Sequence, residues 1–380
     1  MVKDALFYKD NYMKEFKAVV KDCFEDKGKI KVVLDNTAFY PEGGGQPSDI
    51  GFIDDVKVIH VEEKENTIYH IVESKIEIGK KVNCKIDFDE RFQNMQGHTA
   101  EHIVSGMICK KYNTSNVGFH MGKDFITLDF NIDMTESDFR ELEKRANEAI
   151  YKNLKVNINV YSNEEAKNME YRSKLDLKED VRIVEIPGYD KCACCGVHVT
   201  TTGEIGLIKL VKFEHYKQGI RIYMLAGVKA LEYYDLIYKE VNNISTKLSK
   251  KIEEVDLGVD NLLNEIDTLK KEKSELKNRL YELEINNLEV KDNLIVVNND
   301  LTGNDLKSFC TKLLTKVNSI AGVVSQNRFI LMSNNVNLKE ELDKIKQEVN
   351  IKGGGNNVMV QGQILGDESS IEKFVKLLQK

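Results

Sequence analysis

No run in this 380-residue chain approaches the roughly 18 to 20 consecutive apolar residues needed to cross a bilayer. The opening stretch, MVKDALFYKDNYMKEFK, has no apolar core of the kind a secretory signal requires. These two absences set the expectation of a cytoplasmic protein. Positive charge is not in excess either: 55 Lys and Arg stand against 62 Asp and Glu, a formal net charge of −7. That balance argues against broad electrostatic capture of nucleic acid, which depends on Lys and Arg neutralising phosphates, so any RNA binding has to use local patches. The seven cysteines are an odd number, with Cys192, Cys194 and Cys195 crowded together. Reduced thiols or metal ligation suit them better than a disulfide framework.

What is present reads as an α+β protein with its elements in a definite order. Up to about Asp87 the segments KIKVVLD, DIGFIDDVKVIHVEE and NTIYHIVE alternate apolar and polar residues between turn signals, which predicts a small β-barrel or sandwich over residues 1–89. From Asp89 a helix is expected through RFQNMQGHTAEHIVSGMICKK, ending at Asn113. A hairpin over NVGFHMGKDFITLDF follows, then a second helix capped by Thr135, with Glu136 and Asp138 in its first turn. Strands are expected at KVNINVY and VRIVEI, a loop over PGYDKCACCGVHVTTTGEIG, and a hairpin over IGLIKLVKFEH and GIRIYMLAG, so that residues 90–227 form an α/β domain.

Beyond Gly227 the composition changes. Leu262, Ile266, Leu269, Leu276, Leu280 and Leu283 keep heptad spacing, with Lys273 interrupting the seam, and the chain is expected to turn back at Asp256 to Asp260 around Gly258. Residues 228–292 thus read as a coiled-coil hairpin whose apolar stripe serves packing or dimer contacts. Residues 293–380 read as a small α/β domain, with strands at NLIVVNN, SIAGVVSQ and RFILMSN, a GGGNN loop, a strand at VMVQGQI and a helix from Ser369.

His98 and His102 lie four apart on the expected helix, so both imidazoles share one face with β-carbons roughly 5 to 6 Å apart. Alone the pair is a weak signal. Cys194 and His198 repeat the spacing and add a thiolate and an imidazole, the ligand types that favour zinc. Spacing alone does not choose Cys194 over Cys192 or Cys195. His98-Thr99-Ala100-Glu101-His102 also matches the H-x-x-E-H pattern of inverted zinc metallopeptidases, in which the Glu is the general base, although that reading needs a downstream carboxylate ligand and leaves Cys194 and His198 unexplained. In TAFYPEGGGQPSDIG, the run Gly43, Gly44 and Gly45 lacks the Lys-Ser or Lys-Thr of a P-loop. Three glycines framed by aromatics and Gln46 read instead as a loop against which a ligand lies, in preference to a plain tight turn.

FYPEGGGQPSDIG, HTAEH and Cys194-x-x-x-His198, in that order, resemble the editing domain of alanyl-tRNA synthetase and its freestanding AlaX relatives. GIRIYMLAG is similar to the strand that closes that domain, and the helical hairpin with the GGGNN unit is similar to the synthetase's C-terminal domain, so the resemblance covers nearly the whole chain and is nearest to the long AlaX form. It implies one Zn2+ held by His98, His102, Cys194 and His198. It further implies that Thr37 reads the serine hydroxyl and that Gln46 stands beside the reacting ester. Ester hydrolysis needs its developing oxyanion stabilised, and the N–H groups of the Gly43, Gly44 and Gly45 loop are the candidates for it, with Gln46. The implied activity is hydrolysis, in trans, of serine or glycine wrongly joined to alanine tRNA, in a chain that starts at the editing module. A homodimer through the hairpin and C-terminal domain is a separate expectation, carried by the apolar stripe alone. Two departures stand out: Cys195-Gly196-Val197 replaces the usual two glycines and threonine, and Glu101 occupies a variable position. A non-catalytic, zinc-containing tRNA-binding protein is the other reading of the same motifs.

Overall fold

The structure, a computed structural model, describes residues 4–173 and 180–379. They divide into two compact units, Met1–Asn242 and Asn243–Lys380.

The first unit opens with a short helix, α1 (Leu6–Lys9), and six strands: β1 (Glu15–Asp26), β2 (Lys29–Leu34), β3 (Gly51–Ile53), β4 (Val56–Lys64), β5 (Thr67–Val72) and β6 (Lys81–Ile86). They close into a barrel in the order β1-β2-β5-β4-β3-β6, with β6 pairing back onto β1. Alternation drives the closure: Phe16, Ala18 and Val20 on β1 and Val82, Cys84 and Ile86 on β6 point inward, while their neighbours face water.

Helix α2 (Phe88–Tyr112) follows, capped by Asp87 at its start and by left-handed Asn113 at its end. It begins one residue before the expected Asp89, and from Asn94 to Gly106 it is buried on every face, a central helix with no solvent side. Around it are β7 (Asn116–Met121), β8 (Ile126–Phe130), α3 (Glu136–Tyr151), β9 (Asn157–Tyr161), α4 (Asn163–Lys167), β10 (Val181–Ile186), β11 (Asp190–Ala193), β12 (Ile208–Tyr216) and β13 (Gly219–Ala226). These make sheets ordered β12-β13-β8-β7 and β11-β10-β9. Thr135 caps α3 by accepting from the Asp138 N–H. One apolar core runs from the barrel residues Val32, Phe39 and Val58 through Ile103 and Val104 of α2 to Phe139 and Ile222.

Two expected loops turn out to be strands. Asp190–Ala193, inside the segment read as a loop, pairs with β10. The three glycines of GGGNN fall in β17 (Ile351–Gly355) and lie against β18 (Met359–Ile364), where a β-carbon on Gly353 would come within 2.7 Å of the Gly362 Cα.

The helices α5 (Val228–Leu248) and α6 (Val255–Asn286) are separated by residues 249–254, where Ser249 takes φ 52°. The break therefore precedes the expected turn, and Gly258 is a buried helical residue that admits the Leu248 side chain. Leu262, Ile266, Leu269, Leu276, Leu280 and Leu283 are all exposed within the chain, 45 to 65% each. The second unit completes itself with β14 (Asn293–Val297), α7 (Asn304–Leu313), β15 (Ile320–Ser325), β16 (Arg328–Ser333), α8 (Leu338–Glu348), β17, β18 and α9 (Glu368–Leu378), its sheet ordered β14-β15-β16-β18-β17.

Candidate metal centre

Helix α2 carries His98 and His102 side by side, and the chain leaving β11 returns Cys194 and His198 to the same point, so that four ligand atoms lie within 4.8 Å of one another. Cys194 Sγ is 3.5 Å from His98 Nε2 and 3.4 Å from His198 Nε2. A tetrahedral ion with ordinary Zn–N and Zn–S bonds would set its N···S edges at about 3.6 Å.

Hydrogen bonding on the far side of each ring fixes which nitrogen is free. His102 Nδ1 lies 2.8 Å from Asp190 Oδ2, a carboxylate oxygen that can only accept. His98 Nδ1 lies 2.7 Å from Gln46 Oε1, which also accepts the Val197 N–H, so that atom is the amide oxygen and the ring donates to it. His198 Nδ1 lies 3.1 Å from Thr99 Oγ1, whose own proton goes to the Met95 carbonyl at 2.8 Å. In the neutral form all three rings therefore hold their proton on Nδ1 and present Nε2 at the cluster, the tautomer that binds metal.

Electrostatics favour the same set. Burial by itself would raise the Cys194 thiol pKa, but His98, His102 and His198 hold it well below the ordinary thiol range. Burial, reinforced by His98, pushes His198 down to about 3. His102 moves the other way: burial lowers its pKa, but the Cys194 and Asp190 anions outweigh burial and hold it well above the ordinary imidazole range. A metal ion in place of that proton would meet one thiolate and three imidazoles, the donor set that suits zinc. Gly196 keeps the loop in place, since a β-carbon there would run into the His98 ring.

The glycine turn backs onto this group. Gly43 and Gln46 exchange both backbone hydrogen bonds, Gly44 and Gly45 take φ 60° and 87°, and a β-carbon on Gly45 would stand 2.9 Å from the Phe119 carbonyl. Phe119 in turn lies with its ring 5.3 Å from that of His98. The turn is clipped to α2 by Arg91, fully buried, which binds Asp49 and donates to the carbonyls of Asn11 and Ala38. A buried pair contributes little net stability, yet breaking it by removing one partner costs roughly 3–5 kcal/mol, so this clip fixes the turn's position.

The expected site residues therefore fall into two places. Gly43, Gly44, Gly45 and Gln46 stand at the cluster, and Gln46 is wholly buried with its Oε1 on His98. Its Nε2 has no hydrogen-bond partner among the described residues. Thr37, 4% exposed, has its hydroxyl 2.9 Å from His70 Nε2 and accepts the Phe39 N–H. His70 Nδ1 lies 3.0 Å from the Val32 carbonyl, so it carries the ring proton, and the Thr37 hydroxyl must donate to Nε2. Among the described residues nothing else reaches that hydroxyl, so one of its lone pairs stays open.

Glu101 Oε1 accepts from Ser105 Oγ at 2.5 Å and Asn116 Nδ2 at 3.2 Å, while Oε2 lies 3.9 Å from His102 Nε2. The departure from the H-x-x-E-H peptidase pattern is that the group is completed by Cys194 and His198 rather than by a downstream carboxylate. Sequence reasoning passed over Asp190, Arg172, Thr99 and the Arg91–Asp49 pair. None of them carries a local signal: Arg91 stands among Asp89, Glu90, Gln93 and Asn94, on a turn of α2 that reads as polar.

A closed barrel whose glycine turn backs onto a buried three-histidine, one-cysteine group defines the chain as an α+β protein with a built metal-type centre. Residues 4–90 match the family described as tRNA synthetases class II (A), and residues 181–223 match the threonyl and alanyl tRNA synthetase second additional domain. The chain is 37% identical over 232 residues to the alanyl-tRNA editing protein AlaX-M of Methanosarcina barkeri, covering 56% of this chain and 93% of that one. It is 29% identical to the alanyl-tRNA editing protein AlaX-L of Pyrococcus horikoshii, over 95% of this chain and 94% of the other. It is also 32% identical to the alanine–tRNA ligase of Methanobrevibacter smithii, of which it spans 44%. The chain belongs to the alanyl-tRNA editing family.

Proposed function

We propose that this protein is a trans-editing deacylase that hydrolyses the ester joining serine, and also glycine, to alanine tRNA, with one Zn2+ held by His98, His102, Cys194 and His198. The observation that carries the reading is the convergence of three Nε2 atoms and one thiolate beside the glycine turn. When bound, zinc would supply Lewis acidity and order the 194–198 loop. Four protein ligands make the closed pattern of a positional ion, so the chain's own groups carry the polar work on the ester.

The Gly44 and Gly45 N–H groups have no intrachain acceptor among the described residues and are the candidates for the developing oxyanion. Gln46 orients His98, and its unpaired Nε2 is a further donor on that wall. Thr37 is the candidate reader of serine. With its proton committed to His70, it can only accept, which matches a serine hydroxyl that donates and leaves alanine with nothing to offer. Sites that pair a substrate hydroxyl can reject the analogue lacking it by roughly 10⁴-fold. Thr37→Val should therefore erode serine over alanine preference, and unchanged selectivity removes Thr37 from the account.

Among the described residues no helix is long and apolar enough to cross a membrane. A cytoplasmic deacylase meeting charged tRNA is the setting we propose. The exposed leucine seam of α6 is proposed to pair with a second copy, and a monomeric mass in solution would refute that. The hydrolytic reading is tested by incubating the protein with alanine tRNA charged separately with serine, glycine and alanine. Fast loss of the serine or glycine ester with slow loss of the alanine ester supports it. Three intact esters in the presence of folded, zinc-loaded protein leave a zinc-containing tRNA-binding protein as the better account.

A further inference from the structure

Among the described residues, His102 is the one of the three rings whose Nδ1 meets a carboxylate. Asp190, the first residue of β11, turns a side chain that is 1% exposed toward helix α2, with Oδ2 2.8 Å from His102 Nδ1. Its two oxygens are held from the other side by Arg172, at 2.6 Å from Nε and 2.8 Å from Nη2. Arg172 is itself tied to β11 by backbone: its N–H reaches the Lys191 carbonyl and its carbonyl takes the Ala193 N–H, both at 2.8 Å. The helix makes room for this arrangement with a glycine. Gly106 lies one turn beyond His102 on the same face, and a β-carbon there would stand 2.7 Å from Asp190 Cβ and 2.8 Å from Oδ1.

We infer that Asp190, clamped by Arg172, is the positioning residue that makes His102 a metal ligand, and that Gly106 exists to let it reach the ring. The inference rests on the zinc reading above. A neutral imidazole has two tautomers, and only the one protonated on Nδ1 leaves Nε2 free for metal. Gln46 and Thr99 enforce that choice on His98 and His198 with neutral acceptors, whereas Asp190 does so with a carboxylate, the stronger acceptor and the one that most increases ligand basicity. A carboxylate this deep would be costly alone, and Arg172 supplies the countercharge through a bidentate fork that also fixes the direction of the oxygens.

The same clamp bears on a second grouping. His102, Asp190 and Cys192 also lie within 4.8 Å of one another and could be read as another metal site. Both Asp190 oxygens are already engaged by Arg172, and the His102 nitrogen facing them carries the proton. Asp190 therefore serves the His98-His102-Cys194-His198 site from outside it and binds no ion of its own.

The test compares wild type, Asp190→Ala, Asp190→Asn and the double variant Asp190→Ala/Arg172→Met for zinc affinity by competition with a chromophoric chelator, and for the visible absorption of the Co2+-loaded protein. Loss of such an outer partner weakens metal binding roughly 10- to 100-fold, and Asp190→Ala is expected in that range with a shifted cobalt band. Asp190→Asn keeps an oxygen acceptor without the charge and falls between. The double variant leaves no buried unpaired arginine and is expected to stay as weak as Asp190→Ala. Wild-type affinity and spectrum in Asp190→Ala would overturn the inference. Affinity restored in the double variant would overturn it too, tracing the loss to the stranded Arg172. Wild-type protein that takes up no zinc would instead overturn the zinc reading, and this inference with it.

Discussion

Gln46 Oε1 stands 2.7 Å from His98 Nδ1, so the glutamine that follows the three glycines is bound to a ring of the proposed metal group. The glycine turn and the metal group are thereby one construction, joined again by the Val197 N–H, which donates to the same oxygen at 3.3 Å.

Gln46→Leu should lower zinc affinity roughly 10- to 100-fold, since it strands the His98 Nδ1 proton in a dry wall. Chelator competition measures it. Zinc binding unchanged while ester hydrolysis is lost would move the role of Gln46 from the ring to the ester.

The Thr37–His70 pair gives the barrel a pH dependence. Burial drives the His70 pKa from its ordinary 6.5 to about 4. Between these values the unfolded chain binds the proton and the folded one does not. The stability due to neutral His70 is therefore complete above about pH 6.5 and is lost as pH falls toward 4, by on the order of 3 kcal/mol. Urea midpoints at pH 7.5 and pH 5 should show a drop that His70→Gln makes smaller. An equal drop in both proteins would assign the acid sensitivity elsewhere.

Cys194→Ala should abolish stoichiometric zinc by elemental analysis, while Cys195→Ala, at an exposed position whose carbonyl takes the Tyr8 hydroxyl, should retain it. Full zinc in Cys194→Ala would transfer the ligand role to Cys192 or Cys195.

How much of this was legible follows from the range of the interactions. His98 and His102 declare themselves because a helix sets residues four apart on one face, and Cys194 and His198 because they repeat the spacing. Their outer partners do not, because Asp190 lies 88 positions from His102 and Gln46 lies 52 from His98, and only the packed fold joins them. The strand Asp190–Ala193 was hidden because its pattern is four residues long and half cysteine and alanine. Gly353 to Gly355 read as a loop because glycine disfavours strands; at Gly353 and Gly355 the close approach to β18 requires glycine, and pairing overrides propensity. Gly258 invited a turn, yet the chain breaks earlier, at Ser249, and the glycine serves as a contact point inside α6.

The most direct test of the whole account strips the protein of metal with a chelator, measures hydrolysis of the serine ester of alanine tRNA, and repeats the measurement after adding one equivalent of Zn2+. The account predicts that zinc and hydrolysis disappear together and return together. Undiminished hydrolysis by folded, zinc-free protein would contradict it.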